Sequence, residues 1–321
     1  MLINCVAYQD GAKLAVFPIE EISEYLQRPA CFVWVSLSDA TDAELERVQK
    51  EFNLHELVIE DVKHGNQRPK IEEYDDSLFV VLHMLDATDS SIEVGEVLVF
   101  AGRNYILTIR SRSEHNFRSV RERCEREPEL LRLGAGFVLY AVVDAVVDRY
   151  FPVLDHLESQ LEAIEDRIFE KGSALANIEL LYQLKRRTSI LKHAVAPLME
   201  AVGKLHGGRV PPICSTTQDY FRDIHDHLIR INASIESVRD TIGTAIMVCQ
   251  STISVEQNEV NKQLAAWAAI FAIATVFTGV WGMNFRNMPE LQWEHGYLIA
   301  LLIIILVCGF LYRHFKRSNW L

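Results

Sequence analysis

Small and polar side chains recur along one face of a helix that the C-terminal sequence predicts. They follow in steps of three and four residues: Asn258, Asn261, Ala265, Ala268, Ala272, Thr275 and Gly279. Amide and hydroxyl oxygens with small neighbours could face a column of water if several copies surrounded one axis. Small residues also favour close helix packing in lipid, so spacing alone leaves a pore wall and a packing face as open interpretations.

The helix that carries this stripe must be positioned by a membrane. Residues 264–285 and 296–312 contain no charged side chain. A hydrocarbon core about 30 Å thick needs about 20 apolar residues to span it, so the sequence predicts two transmembrane helices. One pore-facing helix per chain cannot enclose a channel, and a pore therefore requires a cyclic oligomer.

The distribution of charge around the two spans predicts their orientation. The short loop between them carries Arg286 against Glu290 and Glu294. Basic side chains flank the other ends of the spans, at Lys262, Arg313, Lys316 and Arg317. The positive-inside rule then places both termini in the cytoplasm and the loop outside. The expected location is the inner (plasma) membrane of the cell.

Composition narrows the function class of the remaining chain. The net charge of −12 over 321 residues argues against a nucleic-acid binder. The six cysteines form no C-x-x-C pair, which is typical of a reducing compartment. The sequence has no Gly-rich phosphate loop, nucleophile motif or zinc-protease His pair. We therefore expect that the protein is not an enzyme.

The pattern of residues divides the chain into an α+β cytosolic domain followed by long helices. β-Branched runs alternate with helical stretches before residue 136, and the pattern is helical afterwards. Residues 137–170 and 174–206 each read as one helix. The predicted segments are 1–135 (α/β), 136–218 (helical), 219–285 (stalk and first span), 286–296 (external loop), 297–313 (second span) and 314–321 (basic tail).

A heptad pattern precedes the small-residue stripe on the same predicted helix. Its apolar positions are Phe221, Ile224, Leu228, Ile231, Ile235, Val238, Ile242, Ala245 and Cys249, which we call the seam. Such a seam buries one side of a helix against partner helices. On a long uninterrupted helix it suggests self-association.

Motifs around the first span resemble those of the CorA magnesium/cobalt transport family. They are Gly282-Met283-Asn284 followed by Met288-Pro289-Glu290-Leu291, together with QNEV at 257–260, YFRD at 220–223 and QRPK at 67–70. The resemblance implies a funnel-shaped homopentameric channel of no enzymatic activity, with the first span lining the pore and the second facing lipid. It also implies Mg²⁺ as cargo, with Co²⁺ and Ni²⁺ as further ions.

The resemblance assigns roles to the motif residues. Gly282, Met283 and Asn284 would form a selectivity filter whose oxygens accept hydrogen bonds from the water shell that Mg²⁺ retains. Rings of Glu290 and Glu294 would concentrate cations outside. Asp223 would bind a regulatory divalent ion between subunits, with Asp86 or Asp89 as its partner. His227, four residues after Asp223, could add a ligand for Zn²⁺ or Co²⁺.

Two positions depart from the family's usual pattern and keep alternatives open. Some relatives carry methionine rings where this sequence has Asn261 and Ala272, which leaves Leu264 as the apolar gate. A weaker gate favours broader ion specificity. The alternatives are therefore a zinc or broad-specificity transporter of the same fold, and a non-conducting membrane-anchored scaffold. The intact Gly-Met-Asn argues against the zinc branch.

Overall fold

The computed structural model describes residues 2–88, 91–113, 116–170, 172–207, 209–283, 288 and 293–321. The chain forms two compact units. The first comprises Met1–Asp166 and Glu179–Thr244, and the second comprises Arg167–Ile178 and Ala245–Leu321.

A seven-stranded mixed sheet forms the centre of the first unit. Its strands are β1 (Leu2–Gln9), β2 (Ala12–Val16), β3 (Cys31–Ser38), β4 (Lys70–Tyr74), β5 (Ser77–Ala87), β6 (Ile92–Ala101) and β7 (Tyr105–Ser111). They lie in the order β2-β1-β3-β7-β6-β5-β4. Within the described residues β3 and β7 pair in parallel, and the other neighbours are antiparallel.

Helices cover both faces of this sheet. The first set is α1 (Ile22–Leu26), α2 (Asp42–Phe52) and α3 (Glu56–His64), and the second is α4 (Arg118–Arg126), α5 (Pro128–Leu131), α6 (Ala135–Val147) and α7 (Tyr150–Glu165). Val33, Val35 and Leu37 alternate along β3 toward the first set and are at most 1% exposed. The period of two in these side chains accounts for the single apolar core on that face.

A capping box marks the start of α2, and a short break separates α6 from α7. Thr41 caps α2 through a capping box with Glu44, whose carboxylate also accepts from the Thr41 backbone N–H. These hydrogen bonds lower the pKa of Glu44 to about 2. The prediction of one helix over 137–170 is wrong, because α6 ends at Val147 and α7 begins at Tyr150.

Two long helices follow, and one of them carries the seam. They are α8 (Ala174–His206) and α9 (Gln218–Trp281). Lys192 on α8 pairs with Glu236 on α9, and the His206 and His225 rings lie 4.7 Å apart, so the helices run antiparallel. Every seam side chain is at most 4% exposed. The chain itself therefore buries the seam, and the expectation that the seam serves self-association is not supported.

The second unit contains the two candidate membrane spans. The apolar part of α9 has a mean hydropathy of 1.9, and α10 (Gly296–Arg317) has 2.3. Both are long and apolar enough to cross a bilayer, and only 11% and 0% of these windows are buried within the chain. Such surfaces are stable only against lipid or other protein. The α7–α8 connection belongs to this unit as well, and its Gly172 N–H donates to the Glu256 Oε1 at 3.4 Å.

Candidate pore and metal sites

The apolar part of α9 packs on α10 along one narrow stripe. Ala266 is fully buried there, and Ile270 is 8% exposed. The Cys308 Sγ approaches the Ile270 carbonyl oxygen at 3.9 Å, and the Trp267 and Tyr312 rings lie 6.3 Å apart. These contacts fix which face of α9 the second span occupies.

The small-residue stripe lies on the opposite face of α9. The helix turns about 100° per residue, so a residue two positions along points about 200° away. Ala268 and Ala272 stand two positions after Ala266 and Ile270. The full set of candidate pore residues is exposed in the single chain: Asn258, Asn261, Leu264, Ala265, Ala268, Ala272, Thr275 and Gly279. The second span therefore leaves this face uncovered.

Two residues of the stripe leave a surface that water can contact. The Thr275 Oγ1 donates to the Phe271 carbonyl at 2.8 Å, which leaves the hydroxyl oxygen oriented as an acceptor. A Cβ added at Gly279 would meet no atom within 4 Å. This part of the helix surface is open and presents an acceptor without an exposed donor.

The predicted filter lies only partly within the described residues. Gly282 and Met283 are exposed after the end of α9, and the Gly282 N–H donates to the Thr278 carbonyl at 2.9 Å. A Cβ at Gly282 would sit 2.9 Å from that same oxygen, so glycine permits this close approach. Asn284 and Glu290 lie outside the described residues. Glu294 is exposed just before α10.

The predicted regulatory site is brought together in part. The Asp223 Oδ2 and His227 Nε2 lie 3.8 Å apart on α9, with 65% of the Asp223 side chain exposed. The His227 Nδ1 is buried without a hydrogen-bond partner. Asp86 is half-buried at the end of β5, and Asp89 lies outside the described residues. No group of three metal-ligating side chains forms within the described part of one chain.

The sequence analysis missed two aspartates beside this position, Asp144 on α6 and Asp148 just after its end. The Arg123 Nη2 donates to the Asp144 Oδ2 at 2.9 Å, and Asp144 is 8% exposed. Burial and then the Asp144 charge raise the pKa of Asp148, and Asp223 adds to the effect. The sequence did contain a signal for this pair, because two aspartates four residues apart interrupt an otherwise apolar run.

Comparisons with known proteins decide the family. The sequence profile of the CorA-like Mg²⁺ transporter protein family matches residues 30–317. The chain belongs to this family. It is 32% identical over 293 residues to the cobalt/magnesium transport protein CorA of Thermotoga maritima, covering 90% of this chain and 83% of that protein. A putative metal ion transporter, YfjQ of Bacillus subtilis, is 31% identical and covers 94% and 93%.

Solved structures agree with the fold. The complete CorA magnesium transporter of Methanocaldococcus jannaschii superposes with a TM-score of 0.77 at 18% identity, over all of both chains. The cytoplasmic domain of ZntB from Vibrio parahaemolyticus gives 0.56 at 12% identity, over 80% of this chain and 98% of that one. The protein is thus a CorA-family divalent cation transporter of the inner membrane and not an enzyme.

Proposed function

We propose that this CorA-family protein is a homopentameric channel that conducts Mg²⁺, and also Co²⁺ and Ni²⁺, passively through an axial pore lined by α9. The observation that supports it is the uncovered small-residue stripe, which faces away from α10 and includes Ala268, Ala272 and Thr275. Five copies of this face around one axis would enclose a path for a hydrated ion.

The chemistry of the stripe suits a hydrated magnesium ion. Mg²⁺ dehydrates reluctantly and keeps several waters in octahedral geometry. Those waters donate hydrogen bonds, so the wall of a pore must accept them. The Thr275 hydroxyl oxygen and the amide oxygens of Asn258 and Asn261 are acceptors of this kind, and Ala268 and Gly279 leave room between them. Leu264, 63% exposed, is the apolar constriction of the proposed gate.

Selection takes place at the outer end of the path in this proposal. The side-chain carbonyls of Asn284 and the backbone carbonyls of Gly282 and Met283 accept from the ion's water shell. Rings of Glu290 and Glu294 raise the local concentration of cations without chelating them. Both chain termini are cytoplasmic, since the basic side chains flank the inner ends of the spans. A potential then drives cations inward with about 2.3 kcal/mol per charge per 100 mV.

Cytosolic divalent ions regulate the proposed channel at Asp223. The exposed carboxylate of Asp223, with His227 3.8 Å away, supplies part of a coordination set, and a neighbouring subunit would supply Asp86 or Asp89. The exposed Asp148 adds negative charge near Asp223, whereas the buried Asp144 is paired with Arg123. Binding between subunits would favour the closed state through its higher affinity for that state.

A transporter of zinc or of many divalent ions is the second candidate. It is favoured by Asn261 and Ala272, which are exposed on the stripe where an apolar gate would need bulk. The two candidates differ in which ions pass, so one assay separates them.

Ion uptake into proteoliposomes tests the proposal directly. Vesicles that contain the purified protein and an internal indicator dye receive Mg²⁺, Co²⁺, Ni²⁺ or Zn²⁺ outside, under an imposed potential and without internal Mg²⁺. We expect Mg²⁺ flux that Asn284→Ala lowers at least tenfold, because a ring of five amide oxygens is lost. The oligomer should stay intact in size-exclusion chromatography.

Asn319→Ala serves as the control, since it removes an amide near the C-terminus outside both spans. Unchanged flux in Asn284→Ala would refute the filter. Flux of zinc alone would support the second candidate, and no flux of any ion would support the scaffold.

A further inference from the structure

A large cavity lies in the first unit, far along the sequence from the spans. It has a volume of about 830 Å³ and opens where the parallel strands β3 and β7 end. Residues 36–39, Thr108 and Arg110 form its floor, and residues 116–118 at the start of α4 form its rim. Carboxyl ends of parallel strands next to a helix N-terminus are a frequent place for ligands. Small-molecule pockets usually measure about 300–1,000 Å³.

The floor of the cavity is polar where a sheet face is ordinarily apolar. Ser36 is 9% exposed and Thr108 is 2% exposed. The Thr108 Oγ1 donates to the Ser36 Oγ at 2.9 Å. Buried hydroxyls at a sheet centre reduce the apolar area that stabilises the fold, so their presence calls for a reason other than packing.

Arg121 reaches over this floor from α4 with unused donor capacity. Its guanidinium lies 4.6 Å above the Trp34 ring, and its Nη2 donates to the Ser36 Oγ at 3.1 Å. Its Nε is buried and has no hydrogen-bond partner. Among the described carboxylates none forms an ion pair with Arg121. A guanidinium over an aromatic ring keeps its positive charge and can still donate hydrogen bonds to an oxyanion.

The remaining charges around the cavity also favour an anion. Lys13 and Arg110 line it together with Arg121, and the charge of Arg118 is balanced by Glu122, whose carboxylate lies 3.0 Å from the Arg118 Nε. The three acidic lining residues already accept hydrogen bonds from the protein: Asp39 from the Arg112 backbone N–H, Glu122 from Arg118, and Glu125 from the Tyr8 hydroxyl. The positive end of the α4 dipole adds to this field. Ile3 and Phe117 supply apolar surface beside it.

We propose that this cavity binds a small phosphate-bearing molecule of nucleotide size, with its phosphate between Arg121 and Lys13 and its ring against Phe117. Guanidinium groups bind phosphate oxygens through charge-assisted N–H donors, and Arg121 places such a group at the cavity wall. The proposal rests on the first unit alone and is independent of ion conduction.

Binding to the purified full-length protein tests this inference. Isothermal titration in detergent, with EDTA to remove divalent ions, uses ATP, AMP, pyrophosphate, inorganic phosphate and adenosine as separate probes. We expect ATP and AMP to bind, pyrophosphate to bind more weakly, and adenosine to fail. Absence of binding by every phosphate probe up to about 10 mM would overturn the proposal. Equal binding of adenosine and AMP would overturn the phosphate role.

Variants locate the site. Arg121→Gln should weaken AMP binding at least tenfold, since a charge-assisted contact is lost. Lys13→Gln, on an exposed side chain, should weaken it several-fold without affecting the fold. Arg126→Gln is the matched control, because Arg126 is exposed on the same helix but does not line the cavity. AMP affinity that falls equally in Arg126→Gln, or that stays unchanged in Lys13→Gln and Arg121→Gln alike, would refute this location.

Discussion

The helix α9 carries two stripes with the same spacing of three and four residues, and the two stripes differ in how far their side chains are buried. The seam from Phe221 to Cys249 is at most 4% exposed, whereas the stripe from Asn258 to Gly279 is exposed throughout. Branched and aromatic side chains occupy the first as far as Ile242, and small or polar ones occupy the second. The period therefore identifies a contact face, and side-chain size indicates whether the same chain fills it.

Truncation of the seam should give the largest effect on stability. Ile231 is fully buried, and Ile231→Ala leaves a cavity that we expect to cost about 2–5 kcal/mol of unfolding free energy. Urea unfolding in detergent, followed by circular dichroism, measures it. Ile229→Ala makes the same change on the same helix at a side chain that is 45% exposed, and should stay within about 0.5 kcal/mol. Equal losses in both variants would mean that another copy covers Ile229.

The comparison also shows how far sequence patterns predict this molecule. The two spans and the α+β class follow from uncharged runs and from alternation of apolar residues, which depend on solvent and period alone. The partner of the seam does not follow, because a heptad pattern is the same whether α8 or a second copy covers it. The Arg121 cavity was missed since it joins β3, β7 and α4, which are distant in sequence.

A threonine pair sharpens the comparison within the membrane. Thr275 and Thr278 are both exposed and both donate to a backbone carbonyl, but only Thr275 belongs to the stripe. Thr275→Val keeps the shape and removes the acceptor, so we expect Mg²⁺ flux to fall about fivefold, the equivalent of about 1 kcal/mol. Thr278→Val should leave flux within twofold. The proteoliposome assay measures both, and a reversed order would place the pore on another face of α9.

The smallest expected effect is a pH dependence at the edge of the seam. Burial and then the neighbouring His206 hold the pKa of His225 below its usual value, while Asp226 opposes them. The His206 Nε2 is buried without a hydrogen-bond partner among the described residues. The unfolded chain then binds more protons below about pH 6.5, and stability is lost as the pH falls through that value.

His225→Gln should reduce the loss of thermal midpoint between pH 7.5 and 5.5. His64→Gln, on an exposed side chain of α3, should leave that loss as in the wild type. If His225→Gln leaves the slope unchanged, the two imidazoles do not couple through the seam, and its edge is as open to water as the stripe.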